Sequence, residues 1–113
     1  MARPNYIELP SRDVAAAKRF YTEAFGWALT DFGDDYAATM TGDVDIGLNG
    51  VPDQATKAPL PCVEVPDLEA ALAKVQAAGA TIVVPIFGFP GGRRFHFQDP
   101  NGNELAAVQS DPH

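Results

Sequence analysis

Three glutamates, one histidine and one cysteine stand at alternate positions of short apolar–polar runs, and through these groups the chain could do chemistry. Successive strand side chains point to opposite faces of a sheet. In Tyr6-Ile7-Glu8-Leu9 the apolar pair Ile7 and Leu9 is assigned to the core, which sends Tyr6 and Glu8 to the other face. Cys62-Val63-Glu64-Val65 divides in the same way, setting Cys62 and Glu64 opposite Val63 and Val65. Phe95 and Phe97 alternate with Arg94, His96 and Gln98, while Glu104 shares a face with Ala106 and Val108. Tyr6, Glu8, Cys62, Glu64, Arg94, His96, Gln98 and Glu104 are therefore expected to line one concave cleft.

Such a set admits three chemistries. A desolvated glutamate (Glu8, Glu64 or Glu104) could take a proton from an acidic C–H as a general base. His96 with one or two carboxylates could hold a divalent metal. The same groups could instead orient a bound small molecule by hydrogen bonds. Each has a plainer counterpart. Arg94 beside Glu8 or Glu64 makes an ordinary ion pair. Cys62, with no obvious base or cationic helix terminus to activate it, reads as packing. His113 is the last residue, where chains are often poorly ordered.

The elements that must position these groups form a pattern that occurs twice. The Tyr6–Leu9 strand is followed by Pro10, a cap at Ser11 or Asp13, and a helix to about Phe25, with Val14, Ala17, Phe20, Tyr21 and Ala24 on its buried side and Gly26 as its stop. Strands are expected near Trp27–Phe32, Tyr36–Thr41 and Val44–Leu48, separated by turns at Gly33-Asp34-Asp35 and Gly42-Asp43. Residues 50–59 carry no periodicity and read as a linker. The pattern then restarts: Cys62–Val65, the cap Asp67, and a helix striped by Leu68, Ala71, Leu72, Val75 and Ala78 and stopped at Gly79. Three strands follow near Thr81–Val84, Arg93–Gln98 and Glu104–Val108, with a loop over Phe87–Gly92 that could serve as a lid and a turn over Asp99–Gly102. Ile7-Glu8-Leu9-Pro10 is matched 56 residues later by Val63-Glu64-Val65-Pro66. The chain thus reads as one domain over 1–113, built from a βαβββ module at about 4–49, the linker, and a second βαβββ module at about 60–109.

A chain of 113 residues supports one hydrophobic core. Its net charge of −7 argues against a nucleic-acid partner, which needs a basic face. No apolar run is long enough to cross a bilayer, and the first ten residues carry one arginine and no signal-like stretch, so a cytoplasmic setting is the default expectation.

Three segments resemble one family. Asp13–Trp27 (DVAAAKRFYTEAFGW) is similar to the first-helix signature of the glyoxalase/bleomycin-resistance/dioxygenase, or vicinal oxygen chelate, superfamily, in its lactoylglutathione-lyase-related branch. Val65–Val83 resembles that family's second helix, and Asp99–Gln109 (DPNGNELAAVQ) its terminal strand. The resemblance implies an α+β fold in which two βαβββ modules form one curved eight-stranded mixed sheet with helices outside. It also implies a homodimer. A shared fold does not specify a reaction, because this family includes isomerases, epimerases, dioxygenases and drug-binding proteins.

The resemblance further implies a divalent metal held by about four His and Glu side chains, acting as a Lewis acid. Carried over position by position, the first ligand falls at Tyr6 and its second-module counterpart at Leu60. The terminal-strand ligand falls at Ala106, and the remaining one near Asp45. Leucine and alanine cannot bind a metal, and a neutral tyrosine is a poor ligand. The expectation is therefore a small-molecule-binding member of the family without the usual metal site or other cofactor, neither a standard glyoxalase I nor an extradiol dioxygenase. It would sequester a ligand, as bleomycin-resistance proteins do, or use Glu8, Glu64 or Glu104 in acid–base chemistry. The alternatives are a metal-dependent lyase or isomerase with ligands such as His96 and Glu104, and an interaction module with a vestigial cleft.

Overall fold

Two aspartates start the two helices. In the computed structural model, which describes residues 2–54 and 56–112, Asp13 caps α1 (Val14–Phe25) by accepting the Ala16 N–H at 2.9 Å. Asp67 caps α2 (Leu68–Ala77) by accepting the Ala70 N–H at 3.0 Å. Each carboxylate satisfies one of the orphan donors that a helix start leaves open. Gly26 closes α1 in the left-handed conformation at φ 71°, donating its N–H to the Thr22 carbonyl at 2.9 Å. The expectation for His113 lies outside the described residues.

The observed elements follow the duplicated order: β1 (Arg3–Pro10), α1, β2 (Leu29–Asp31), β3 (Tyr36–Thr39), β4 (Asp45–Asn49), then β5 (Leu60–Glu64), α2, β6 (Thr81–Phe89), β7 (Gly92–Gln98) and β8 (Glu104–Ser110). The class is α+β, with eight strands of mixed sheet and two helices. Tyr6–Leu60 forms one compact unit, and the residues after it, with the first few of the chain, form the other.

In the first unit the strand order is β2-β3-β4-β1, with β1 and β4 parallel and the other pairs antiparallel. Val14, Ala37 and Leu48 form its core, backed by Leu9, Ala17, Tyr21, Leu29 and Ile46. Two expectations for α1 are corrected. Phe20 is 59% exposed and Ala24 is exposed, so neither belongs to the buried stripe. At about 100° per residue, Val14, Ala17 and Tyr21 centre the stripe and Phe20 falls on its rim. Trp27 lies outside β2 and stacks on Tyr21 at 5.0 Å between ring centroids.

The second unit repeats the order as β5-β8-β7-β6, with β5 and β8 parallel. Val65, Leu68, Phe95 and Ala107 are its core, and Ala71, Leu72 and Val75 of α2 pack on it. The expected Phe87–Gly92 loop is corrected as well. β6 runs unbroken to Phe89 and turns through Pro90-Gly91, with Gly91 at φ 109°. Pro85, which lacks an N–H, is tolerated inside β6 because that strand lies at the end of the order and its pairing with β7 shifts register. The lid expectation thus falls on a paired hairpin.

Phe95 is fully buried, whereas Phe20 touches the aromatic cluster only from outside. Phe95→Ala is expected to cost about 3–5 kcal/mol and Phe20→Ala under about 1 kcal/mol in urea denaturation. Equal losses would contradict the assignment of the core.

Candidate functional site

In the first unit, register collects the polar groups around a glycine. Gly47 of β4 pairs with Glu8 of β1 on one side and Ala38 of β3 on the other, while Tyr36 pairs with Asn49. Tyr36 Oη donates to Oε2 of Glu8 at 3.0 Å, and Asn49 Nδ2 donates to Oε1 at 2.9 Å. The Tyr6 and Tyr36 hydroxyls meet at 2.5 Å. Because a phenol has one proton and that of Tyr36 goes to Glu8, Tyr6 is the donor in this contact. The two hydroxyls lie where a Cβ at residue 47 would stand, so only glycine leaves room for them. Glu8 and Asn49 are buried, and both carboxylate oxygens of Glu8 carry donors. Burial, reinforced by the charge of Glu8 and by Tyr6, pushes the Tyr36 hydroxyl well above its ordinary range.

Three positions that the family pattern reserves for metal ligands can be judged in this unit. Tyr6 is engaged with Tyr36, and Leu60 is a fully buried hydrophobe. Asp45 is held in the β3–β4 turn, accepting from Thr39 Oγ1 at 2.7 Å, the Thr41 N–H and Oγ1 at 2.8 and 2.9 Å, and the Gly42 N–H at 3.0 Å. Desolvation opposes its ionisation, but these donors together hold its carboxyl below the usual carboxylate range. Asp45 closes the turn.

The second unit carries the remaining groups. His96 of β7 and Glu104 of β8 meet at 2.7 Å through Nδ1 and Oε2. A carboxylate only accepts, so the shared proton is assigned to Nδ1, and in the neutral imidazole the lone pair falls on Nε2. That nitrogen is buried and has no hydrogen-bond partner, and the His96 residue is 4% exposed. Ala106, the terminal metal-ligand position, pairs with both His96 and Cys62 and is fully buried. Arg94 is buried with its guanidinium over the rings of Phe87 and Phe89, at 5.2 and 5.6 Å, and the Phe87 ring is 5.9 Å from that of His96. Gln98 and Glu64 are exposed, and Glu64 accepts from Ser110 Oγ at 3.4 Å.

Of the residues named from sequence, the structure brings together Tyr6 with Glu8 (through Tyr36) and His96 with Glu104. Tyr36, Asn49 and Gly47 were not foreseen. They lie 28 to 41 residues from Glu8; the parallel β1–β4 pairing brings Gly47 and Asn49 to it, and the β3–β4 pairing adds Tyr36. Among the described residues, no group of three or more His, Cys, Asp or Glu is placed to hold a metal, and the side chains at Tyr6, Leu60 and Ala106 do not fit one. A cavity of about 440 Å³ lies elsewhere in the first unit, between the end of β1, the start of α1 and Lys57–Pro59. None of the sequence-named groups lines it, so the buried polar chemistry points more strongly to a site than that void does.

A family model described as the glyoxalase/bleomycin resistance protein/dioxygenase superfamily matches residues 3–107. CFP32 of Mycobacterium tuberculosis, whose name proposes a glyoxylase, is 31% identical over 97% of this chain. The chain spans 46% of that relative's length. Among solved structures, methylmalonyl-CoA epimerase from Mycobacterium tuberculosis superposes with a TM-score of 0.73 at 16% identity, covering 97% of this chain and 89% of that one. A superfamily member from Vibrio splendidus 12B01 does so with 0.70 at 18% identity, covering 98% and 100%. At these identities the structural likeness shows the fold alone.

Folded Tyr36 keeps its proton at a pH where the unfolded chain, with an ordinary value of 10.0, releases it. Stability is therefore fully present below about pH 10 and falls as pH rises further. Tyr36→Phe should cost about 1–3 kcal/mol near neutrality by stripping a donor from buried Glu8. It should also flatten the alkaline decline measured by denaturation across pH. An unchanged alkaline slope would contradict the placement of Tyr36.

Proposed function

We propose a function from one premise: the chain belongs to the glyoxalase/bleomycin resistance protein/dioxygenase superfamily. It is a small-molecule-binding member that works without the family's metal, and one donor group of its ligand is held on Nε2 of His96. The observation that carries this reading is the buried, unpartnered Nε2, left open because Glu104 occupies Nδ1. A buried polar atom without a partner costs about 1–3 kcal/mol, which a ligand hydroxyl, thiol or amine would relieve.

The donor chemistry supports a metal-free site. Family positions are filled by a phenol, a leucine and an alanine, and Asp45 is committed to its turn. The metal-dependent alternative would need His96 and Glu104 as independent ligands, whereas their 2.7 Å contact joins them into one unit with a single outward nitrogen. The protein acts by binding rather than by the standard glyoxalase reaction. We place it in the cytoplasm as a homodimer. In support, no helix of the described residues is long and apolar enough to cross a membrane. Further, this chain spans 46% of the relative it matches, so two copies of it would approach that relative's length.

A thermal-shift screen of small aldehydes, thiol adducts and cationic antibiotics tests the reading on untagged protein. A binder is expected, and His96→Gln should weaken it about ten-fold, or about 1.4 kcal/mol. Binding that ignores His96→Gln would overturn the reading. So would stoichiometric nickel, zinc or iron that is lost on His96→Ala, or turnover of the hemithioacetal of methylglyoxal and glutathione.

A further inference from the structure

The cavity at the end of β1 is lined by neither of the polar clusters described above, and its walls have a chemistry of their own. It holds about 440 Å³, a size that suits a small molecule. Leu9 of β1, Ala17 of α1 and Pro59 of the linker give it apolar surface, and Tyr21 adds an aromatic ring. Arg12 lines it from the β1–α1 loop and Lys57 from the linker. Both are exposed, and among the described residues neither side chain makes a hydrogen bond or an ion pair. Asp13 stands in the same wall, one of its oxygens accepting the Ala16 N–H. Two cations against one carboxylate leave a single net positive charge at the cavity, in a chain whose net charge is −7. The walls are also held in place. Ser11 donates its N–H to the Asn49 carbonyl at 2.8 Å and its hydroxyl to the Leu9 carbonyl at 3.0 Å, which fixes the loop that carries Arg12. Thr56 Oγ1 donates to the Ala58 carbonyl at 2.5 Å and closes the linker backbone around Lys57.

We propose that this cavity is a second binding site, and that it takes a small monocarboxylate with an apolar body. The carboxylate accepts from the Arg12 guanidinium and the Lys57 ammonium, and the apolar body lies against Leu9, Ala17 and the Tyr21 ring. Three features select this class. Guanidinium and ammonium groups only donate, and their bonds to a carboxylate are charge-assisted and strong. The Asp13 carboxylate repels a second negative charge, which favours a monoanion over a phosphate dianion. The apolar wall rewards a ligand that brings hydrocarbon surface, which a bare inorganic anion lacks. The site lies wholly in the first unit and uses none of the groups assigned to the His96 site, so it goes beyond the function proposed above.

Amide NMR titration of the full chain with benzoate near neutral pH tests the proposal, with benzyl alcohol and inorganic phosphate as comparison probes. Benzoate is expected to give saturable shifts at Ser11, Arg12, Asp13, Lys57 and Ala58. Benzyl alcohol keeps the ring without the charge, and phosphate keeps charge without the ring. Each should bind at least about ten-fold more weakly than benzoate. Arg12→Gln combined with Lys57→Gln should weaken benzoate by about ten-fold or more. Both positions are exposed, so the fold is expected to survive the double substitution. His96→Gln should leave benzoate binding unchanged, which keeps this test separate from that of the His96 site. Absence of saturable shifts at the cavity, benzyl alcohol or phosphate binding as tightly as benzoate, or indifference to the double substitution would overturn the proposal. So would loss of the shifts in His96→Gln, which would put benzoate in the second unit.

Discussion

The contact between Nδ1 of His96 and Oε2 of Glu104, 2.7 Å long and made between neighbouring antiparallel strands, decides which side of the imidazole is left to interact. A carboxylate at Nδ1 orients the ring and fixes a proton there, so in the neutral imidazole Nε2 is an acceptor on a buried sheet face. Neither residue could do this alone. A histidine held only by packing would leave its tautomer open, and a carboxylate without the imidazole would sit half-buried with an unmet charge. The rest of the second unit serves this pair. Phe95 and Phe97 turn into the α2 core, which by the two-residue period puts Arg94 and His96 on the opposite face.

The first unit solves a related problem with different groups. Where the family pattern would set a metal ligand, Tyr6 closes a chain of hydrogen bonds that runs through Tyr36 to Glu8 and is completed by Asn49. Two neutral groups, the Tyr36 hydroxyl and the Asn49 amide, donate to the buried Glu8. Gly47 and Ala106 are the small residues that make the two arrangements possible. The glycine gives two phenol hydroxyls room to meet, and the alanine sits fully buried in the row between Cys62 and His96.

Much of this was legible in the sequence, and the failures have physical causes. Asp13 and Asp67 announced both helix starts, and Phe95 and Phe97 alternating with Arg94 and His96 announced the faces of β7, because caps and strand parity are local rules. Phe20 was assigned to the core from helical spacing, but the apolar stripe of α1 is narrower than its apolar composition. Phe87–Gly92 read as a loop because glycine and proline usually mark one, yet a strand at the end of its order tolerates Pro85 and continues to Phe89. Tyr36 and Asn49 carried no signal as partners of Glu8, since pairings across 28 to 41 residues, β4 on β1 and β3 on β4, are set by topology rather than by neighbouring residues. Glu104 and His96 were named together only as alternative metal ligands, because their direct contact depends on the β7–β8 register.

The central claim is that Glu104 fixes the tautomer of His96 and leaves Nε2 as the open nitrogen. Nitrogen-15 chemical shifts of the His96 ring, assigned by comparison with His96→Gln, measure this directly. The account predicts a protonated Nδ1 and an unprotonated Nε2 near neutral pH, with the protonated site lost or exchanged in Glu104→Gln. A proton found on Nε2, or a ring whose shifts ignore Glu104→Gln, would contradict it.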